Sequence, residues 1–171
     1  METREEQFLS QLHTHAGIIH RICKSYFSSE ELRKDVYQEI VYQLWKSYST
    51  FKGLSKFSTW MYRIALNTAI TYHRKAKRQP DELRLTDQME HIPANSSDDL
   101  EAQVEKLYAA INTLTDIEKA IVLLYLDEHS YEEIAAVTGM TSKNVSVRLV
   151  RIKKKLEKYF NQKQIDYGHT R

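Results

Sequence analysis

Five polar side chains share the outward face of one predicted helix near the C-terminus of this 171-residue chain. Asparagine and arginine can hydrogen-bond base edges in the major groove of DNA, and lysine and arginine can bind its phosphates. These residue types predict DNA binding, and the simpler alternative is a helical hairpin with a solvated basic end. The five candidates are Lys143, Asn144, Ser146, Arg148 and Arg151.

The segment that positions these five residues has the spacing of a helix-turn-helix. Ser130 followed by Glu133 is a capping box that opens a short helix, and Thr141 can cap the next helix. Gly139 lies between the two helices and supplies the backbone freedom that a tight turn requires. The pattern predicts a recognition helix that enters the major groove of DNA. Its predicted inward residues are Val145, Leu149 and Ile152.

A second polar stripe lies in the middle of the chain, beside a predicted core face that includes Ile64 and Ala65. Its members recur at spacings of three or four and therefore share one face of a helix. Cationic residues close to aromatic ones are typical of surfaces that bind unpaired bases. The stripe consists of Arg63, Asn67, Thr71, Arg74 and Arg78.

Several aromatic and basic residues precede this stripe. Phe57 and Trp60 match the helical spacing of the core, so we assign them to the core and not to nucleic acid. Phe51, Lys52 and Lys56 lie in a short connection between two predicted helices, and they are candidates for contacts with nucleotides.

The sequence carries no recognisable catalytic constellation. Its seven histidines are scattered without the spacing of metal ligands, and no glycine-rich phosphate loop or serine nucleophile motif is present. The single cysteine, Cys23, lies among isoleucines, which predicts a small buried hydrophobe. We therefore expect no enzyme, no metal site and no cofactor.

Helical periodicity dominates the whole chain and predicts an all-α fold. The apolar spacing predicts a first helix over residues 4–24, and Ser28 with Glu31 predicts a capping box that opens the second. A third helix is expected to end at Gln79, because a residue before proline is driven out of the α region. Thr115 begins a further capping pattern in the second half of the chain.

The predicted helices and the charge pattern divide the chain into three parts. We expect two small helical domains, 1–79 and 100–165, joined by a flexible acidic linker over 80–99. The formal net charge of +2 hides a segregation along the chain: +5 over 63–78, −11 over 79–141 and +7 over 142–171. The two strongly basic stretches therefore coincide with the two candidate DNA-binding faces.

These features together resemble the extracytoplasmic-function (ECF) group of sigma factors of bacterial RNA polymerase, over about residues 8–160. Residues 35–39 with 44–46 are similar to the family's second-region helix, which docks on the clamp helices of the polymerase β′ subunit. Residues 57–67 are similar to the segment that melts and recognises the minus-ten promoter element. Residues 100–160 resemble the fourth region, whose helix-turn-helix recognises the minus-thirty-five element and packs on the β flap.

The resemblance implies a role for each group of candidate residues. Asp35, Gln38 and Glu39 would bind core RNA polymerase. The connection residues Phe51, Lys52 and Lys56, together with the stripe that begins at Arg63, would hold the melted minus-ten element and its upstream duplex. The five residues from Lys143 to Arg151 would recognise the minus-thirty-five element. The implied partners are core RNA polymerase and promoter DNA, both double-stranded and melted, with an anti-sigma protein as a further candidate.

The chain departs from common family residues at a few positions that are expected to lie on the recognition surfaces. Leu66 occupies a position where the family often has arginine, and Thr71 one where it often has aspartate. Asn144 and Ser146 replace the threonine and lysine of a frequent Thr-Val-Lys triplet. The promoter sequence recognised by other members therefore does not carry over to this chain.

Two other functional classes compete with the sigma-factor interpretation. The first is a dimeric helix-turn-helix regulator that binds duplex DNA by itself, and it would need a dimerisation element for which few residues remain after Lys158. The second is a helical adaptor that binds only protein. The acidic N-terminal residues and the short apolar runs predict a cytoplasmic protein without membrane insertion.

Overall fold

The computed structural model describes residues 3–78 and 99–168, and side chains as far as residue 162. These residues form seven α-helices and one short 3-10 turn, Tyr48–Thr50, and contain no strand, which confirms the all-α prediction for the described part of the chain. The predicted linker lies almost wholly outside the described residues. The helices are α1 Arg4–Tyr26, α2 Glu30–Ser47, α3 Phe57–Arg78, α4 Asp99–Asn112, α5 Asp116–Leu126, α6 Tyr131–Thr138 and α7 Ser142–Gly168.

The first compact unit contains α1, α2 and α3, which all pack against one another. Each helix places one apolar stripe in a shared core, as its sequence periodicity predicts. Burial of these side chains supplies the main driving force for folding of the unit. Fully buried members of the core include Ile19 and Ile22 of α1, Val36, Ile40 and Leu44 of α2, and Met61, Ala65 and Ala69 of α3.

The start of α2 differs from the sequence prediction by one residue. The N-cap is Ser29, whose hydroxyl accepts a hydrogen bond from the Leu32 backbone N–H, and the predicted capping box of Ser28 with Glu31 is wrong. Phe27 is buried and its N–H bonds to the end of α1, so the turn between the helices cannot close before Ser29. The ring of Phe27 contacts Tyr72 and His73 of α3, so tertiary packing outweighs the local capping signal.

The second compact unit contains α4 to α7, and its helix-turn-helix is α6 and α7. Ser130 and Glu133 form the predicted capping box, and Gly139 ends α6 in the left-handed conformation with φ 72°. Thr141 accepts a hydrogen bond from the Asn144 N–H at 3.2 Å and so caps α7. The predicted inward residues Val145, Leu149 and Ile152 are almost completely buried.

The described helices are too polar to cross a lipid bilayer. None of those within 3–78 and 99–168 contains a sufficiently long apolar stretch.

Candidate nucleic-acid interface

The recognition helix α7 exposes the polar residues that the sequence assigned to DNA. Lys143, Asn144, Arg148 and Arg151 are exposed and Ser146 is half-buried, while the alternate face of the helix packs into the unit. Thr141 fixes the start of the helix and Gly139 fixes its approach, so the first two turns have a defined orientation. This combination gives a rigid helix with a polar, cationic outer face, which suits the major groove.

Three consecutive lysines, at positions 153–155, follow these residues on α7, and two of them bond to other side chains of the second unit. Lys155 Nζ lies 2.6 Å from Glu118 Oε1 in an ion pair between α7 and α5. Lys153 Nζ donates to the Tyr125 hydroxyl at 3.0 Å and lies 4.4 Å from the centre of that ring. The hydrogen bond to Tyr125 raises the pKa of Lys153, so its charge is retained. These lysines therefore fasten α7 to α5 in addition to extending the positive charge.

The polar stripe of α3 is exposed along its whole length. All five predicted residues, from Arg63 to Arg78, lie on the solvent side of the helix. Three of the last four residues of α3 are basic, so positive charge increases toward its C-terminus. Leu66, by contrast, is only 3% exposed, so the expectation that it lies on a recognition surface is wrong. Its apolar side chain belongs to the core of the unit.

The connection between α2 and α3 rests on a cluster of aromatic rings. The ring of Phe51 lies 5.1 Å from that of Trp60 and 5.6 Å from that of Phe57, which is itself buried as predicted. Tyr48 stacks on Phe51 at 6.5 Å. Lys52 and Lys56 are exposed, and Gly53 between them adopts a positive φ of 70°. The connection thus exposes two lysines beside a cluster of aromatic side chains.

The three candidate polymerase-binding residues of α2 do not share one pocket. Asp35 and Gln38 are exposed, whereas Glu39 is half-buried and accepts a hydrogen bond from Gln43 Nε2 at 2.8 Å. Gln38 lines a groove between α1 and α2. Glu39 lines a second groove, between α2 and α3, that also includes Asn67 and Thr71 of the polar stripe.

The groove between α1 and α2 contains exposed apolar side chains that the sequence analysis did not assign to a site. Leu9, Tyr42 and Trp45 are 52%, 55% and 40% exposed, and they line a cavity of about 500 Å³ together with Gln38. Arg4 lies over the Trp45 ring at 5.6 Å. A cluster of exposed apolar side chains is a candidate protein-binding surface. The apolar spacing of Tyr37, Val41 and Trp45 along α2 was the available signal.

The described residues contain no cluster of metal-ligand side chains and no exposed thiol. No three histidine, cysteine, aspartate or glutamate side chains in the described part of the chain converge as ligands. Cys23 is buried, and burial raises the pKa of its thiol to about 12, so the thiolate that would be reactive is suppressed.

Two family models match this chain in the order that its two units occupy. Sigma-70 region 2 matches residues 12–79, and Sigma-70 region 4 matches residues 104–156. The ECF RNA polymerase sigma-E factor of Haemophilus influenzae is 30% identical over 154 residues, which cover 83% of this chain and 79% of that protein. The sigma factor SigV of Bacillus subtilis is 26% identical over 153 residues, covering 88% and 89%.

Solved structures share the fold. The sigma factor RpoE from Bartonella quintana, in complex with the anti-sigma factor NepR, matches with a TM-score of 0.73 and 20% identity, covering 91% of this chain and 98% of that one. CnrH, in complex with the cytosolic domain of CnrY, matches with a TM-score of 0.69 and 18% identity, covering 93% and 90%.

The helical units with their exposed basic faces, and the two region matches, define a transcription factor of the sigma-70 class. The chain belongs to the ECF family of RNA polymerase sigma factors, as the sequence resemblance indicated. Its partners are core RNA polymerase and promoter DNA, and its function is promoter-specific transcription initiation. A stand-alone dimeric regulator is not favoured, because the matches include region 2 as well as the helix-turn-helix.

Proposed function

We propose that the two units divide the work of this sigma factor, with 1–79 bound to polymerase and the minus-ten element and 100–165 bound to the minus-thirty-five element. The single observation that carries the proposal is that each unit exposes a basic helix face, on α3 and on α7. A linker over 80–99, with its acidic charge, would run between them through a positively charged part of the polymerase.

Docking on the β′ clamp helices would use Asp35, Gln38 and Glu39 together with the apolar groove beside them. A docking site needs apolar area as well as polar contacts, and Tyr42 and Trp45 supply this area next to Gln38. Asp35 adds an exposed negative charge on the same helix. Glu39, which lies in the groove shared with Asn67, would connect the docking surface to the surface that holds DNA.

The minus-ten element would lie along α3 and the connection before it. Phe51, Lys52 and Lys56 would receive an unpaired nucleobase, since the connection combines aromatic side chains with exposed cations. Asn67 and Thr71 would contact bases, and the three arginines Arg63, Arg74 and Arg78 would hold phosphates of the melted strand and its upstream duplex.

The minus-thirty-five element would receive α7 in its major groove. Lys143, Asn144, Ser146, Arg148 and Arg151 would supply the base and phosphate contacts of that helix. A part of the second unit other than the exposed start of α4 would pack on the β flap. Because it would act on polymerase and promoter DNA, we expect the working protein in the bacterial cytoplasm.

An anti-sigma protein is a further proposed partner. Two of the structurally similar proteins are a sigma factor bound to the anti-sigma factor NepR and CnrH bound to the cytosolic domain of CnrY. The apolar groove with Leu9, Tyr42 and Trp45 is the part of the first unit that would suit such a partner. Competition between core polymerase and an anti-sigma protein would then be direct.

Reversal of one charge tests the docking assignment. Asp35→Lys should weaken binding of the full-length chain to core polymerase at least tenfold, because an exposed carboxylate at an interface is replaced by a cation. Glu101→Lys makes the same change of charge on exposed α4 and should leave the affinity unchanged. Equal affinities of the two variants for core polymerase would remove Asp35 from the docking site.

A further inference from the structure

Val147 occupies the centre of the outward face of the recognition helix. At 3.6 residues per turn it lies about 165° around α7 from the mean direction of the buried residues Val145, Leu149 and Ile152. Its side chain is 45% exposed, while those three are at most 1% exposed. A helix that enters a groove with its core face outward brings this position deepest into the groove.

The positions around Val147 are polar. Lys143, Asn144, Arg151 and Lys154 are all exposed and lie on neighbouring turns of the same face. An exposed helical position is served better by lysine, glutamate or alanine than by valine, because a β-branched side chain loses rotamer freedom in a helix. Apart from Val150, the exposed positions around Val147 are polar, and local helix stability does not explain an apolar side chain at the centre of this cationic surface.

The major groove offers one apolar group that matches such a side chain. Each thymine presents its C5-methyl group there, whereas the other edges of the bases present hydrogen-bond donors and acceptors. We infer that Val147 recognises the methyl group of a thymine within the minus-thirty-five element. The inference rests on the proposed function of α7 and adds the chemical identity of one base that it selects.

Val150 supplies a matched comparison within the same helix. It is 53% exposed, so it is at least as accessible as Val147. It lies about 60° around the helix from Val147 and nearly one turn further from the N-terminus. Val150 is therefore displaced from the centre of the face, and its side chain is too short to reach a base edge from there, as a long arginine can, so the inference assigns it no thymine contact.

The test uses holoenzyme reconstituted from the full-length chain and core polymerase. The preferred promoter is first selected from random DNA with this holoenzyme, and each thymine of the minus-thirty-five element, on either strand, is then replaced singly by deoxyuridine. This replacement removes only the methyl group. Binding of each template is measured for the wild type and for Val147→Ala and Val150→Ala, with far-UV circular dichroism to check folding of both variants.

We expect one deoxyuridine substitution to weaken wild-type binding about fourfold, as the loss of one buried methyl contact predicts. The same substitution should have a much smaller effect with Val147→Ala, whose shorter side chain withdraws from the methyl group, and should retain its full effect with Val150→Ala. A penalty that is undiminished in Val147→Ala, or that disappears only in Val150→Ala, would overturn the inference. An element made only of G·C pairs would overturn it as well.

The first stage separates this inference from the proposed function. If the wild-type holoenzyme selects no promoter, the proposed function of the two units fails. If it selects a promoter whose deoxyuridine penalties are independent of Val147, only the thymine contact fails, and Val147 is then a candidate for contact with polymerase.

Discussion

The exposed residues of the recognition helix face away from its core to different degrees, and we expect this difference to separate base contacts from phosphate contacts. Arg148 lies about 65° from the direction of the buried residues, on the flank of the helix, whereas Arg151 lies about 125° away. A flanking arginine meets the sugar-phosphate backbone, and one closer to the centre meets base edges. The two arginines should therefore respond differently to the same substitution.

Arg148→Ala should weaken holoenzyme binding by a similar factor on every minus-thirty-five sequence and reduce the slope of log affinity against log salt by about 1. Arg151→Ala should instead cost about 1–3 kcal/mol on the preferred element and less on others, so that selectivity relaxes. Binding to a panel of point-substituted elements at several salt concentrations checks both expectations. A loss of selectivity in Arg148→Ala alone would reverse these assignments.

At the residue scale, helical periodicity correctly predicted which side chains are exposed, but it did not predict which of them line the same groove. All five residues of the α3 stripe are exposed, because a spacing of three or four determines the face of a straight helix. The separation of Gln38 from Glu39 into two grooves depends on where α1 and α3 flank α2, and neighbouring positions do not show this. The burial of Leu66 likewise depends on packing, and a comparison of residue types alone misplaced it.

At the scale of the helices, the local sequence has its most direct structural effect at the helix termini, and substitutions there change the stability of one unit.

The two units can be followed separately by spectroscopy. Both tryptophans, Trp45 and Trp60, belong to the first unit, so tryptophan fluorescence reports on that unit while far-UV circular dichroism reports on all helices. This division makes it possible to assign a change in stability to one unit in the full-length chain.

Gly139→Ala should destabilise the second unit by about 1–2 kcal/mol, because an alanine in the left-handed conformation is strained. The added Cβ would meet nothing within 4 Å, so the backbone alone causes the loss. We expect an earlier transition by circular dichroism in a denaturant titration and an unchanged transition by tryptophan fluorescence.

Gly17→Ala is the matched control in the first unit. Gly17 is in the interior of α1, and an added Cβ would make only an ordinary contact of 3.5 Å with Arg21 Nη1. The same substitution should therefore stabilise the first unit by about 0.5–1 kcal/mol. A loss of stability at Gly17, or no loss at Gly139, would contradict these local conformations.

The bond between Glu118 and Lys155 makes the second unit sensitive to acid. Burial raises the pKa of Glu118, but the hydrogen bonds from Lys155 and Thr115 outweigh this effect and hold the pKa below its usual value of 4.5. A lowered folded-state pKa gives stability that is present above the pKa of the unfolded state and is lost as the pH falls through the lowered value.

Glu118→Gln should therefore lower the free energy of unfolding of the second unit by about 1 kcal/mol at neutral pH, with a smaller difference from the wild type in acid. Glu157→Gln, the same substitution at an exposed position of α7, should leave the free energy of unfolding at neutral pH unchanged. Denaturant titrations followed by circular dichroism at several pH values check this. A difference that stays constant down to acid pH would show that the charge of Glu118 is not the cause.

The element boundaries could be predicted from sequence wherever a cap or a breaker acts locally. The capping boxes at Thr115 and Ser130 and the left-handed Gly139 are present as predicted, because each involves only residues within one turn. The start of α2 was misplaced by one residue, since two adjacent serines can both cap and burial of Phe27 decides between them.

At the scale of the whole molecule, the near-neutral charge is an average over segments of opposite sign. The basic stretch at 63–78 lies within α3 and the one at 142–171 includes α7, and both helices expose basic side chains. The acidic stretch lies between them in sequence. The all-α class followed from helical periodicity, and the order of the two units followed from the motifs. The apolar groove of Leu9, Tyr42 and Trp45 required the structure, because it forms only where α1 meets α2.

The most direct test of the account is run-off transcription from a promoter selected with the reconstituted holoenzyme. We expect core polymerase to initiate at one defined start site only when the full-length chain is added, and Asp35→Lys to reduce that product through weaker binding to core. We also expect the chain alone to bind the same duplex weakly. No specific initiation with core polymerase, combined with tight duplex binding by the chain alone, would contradict the account.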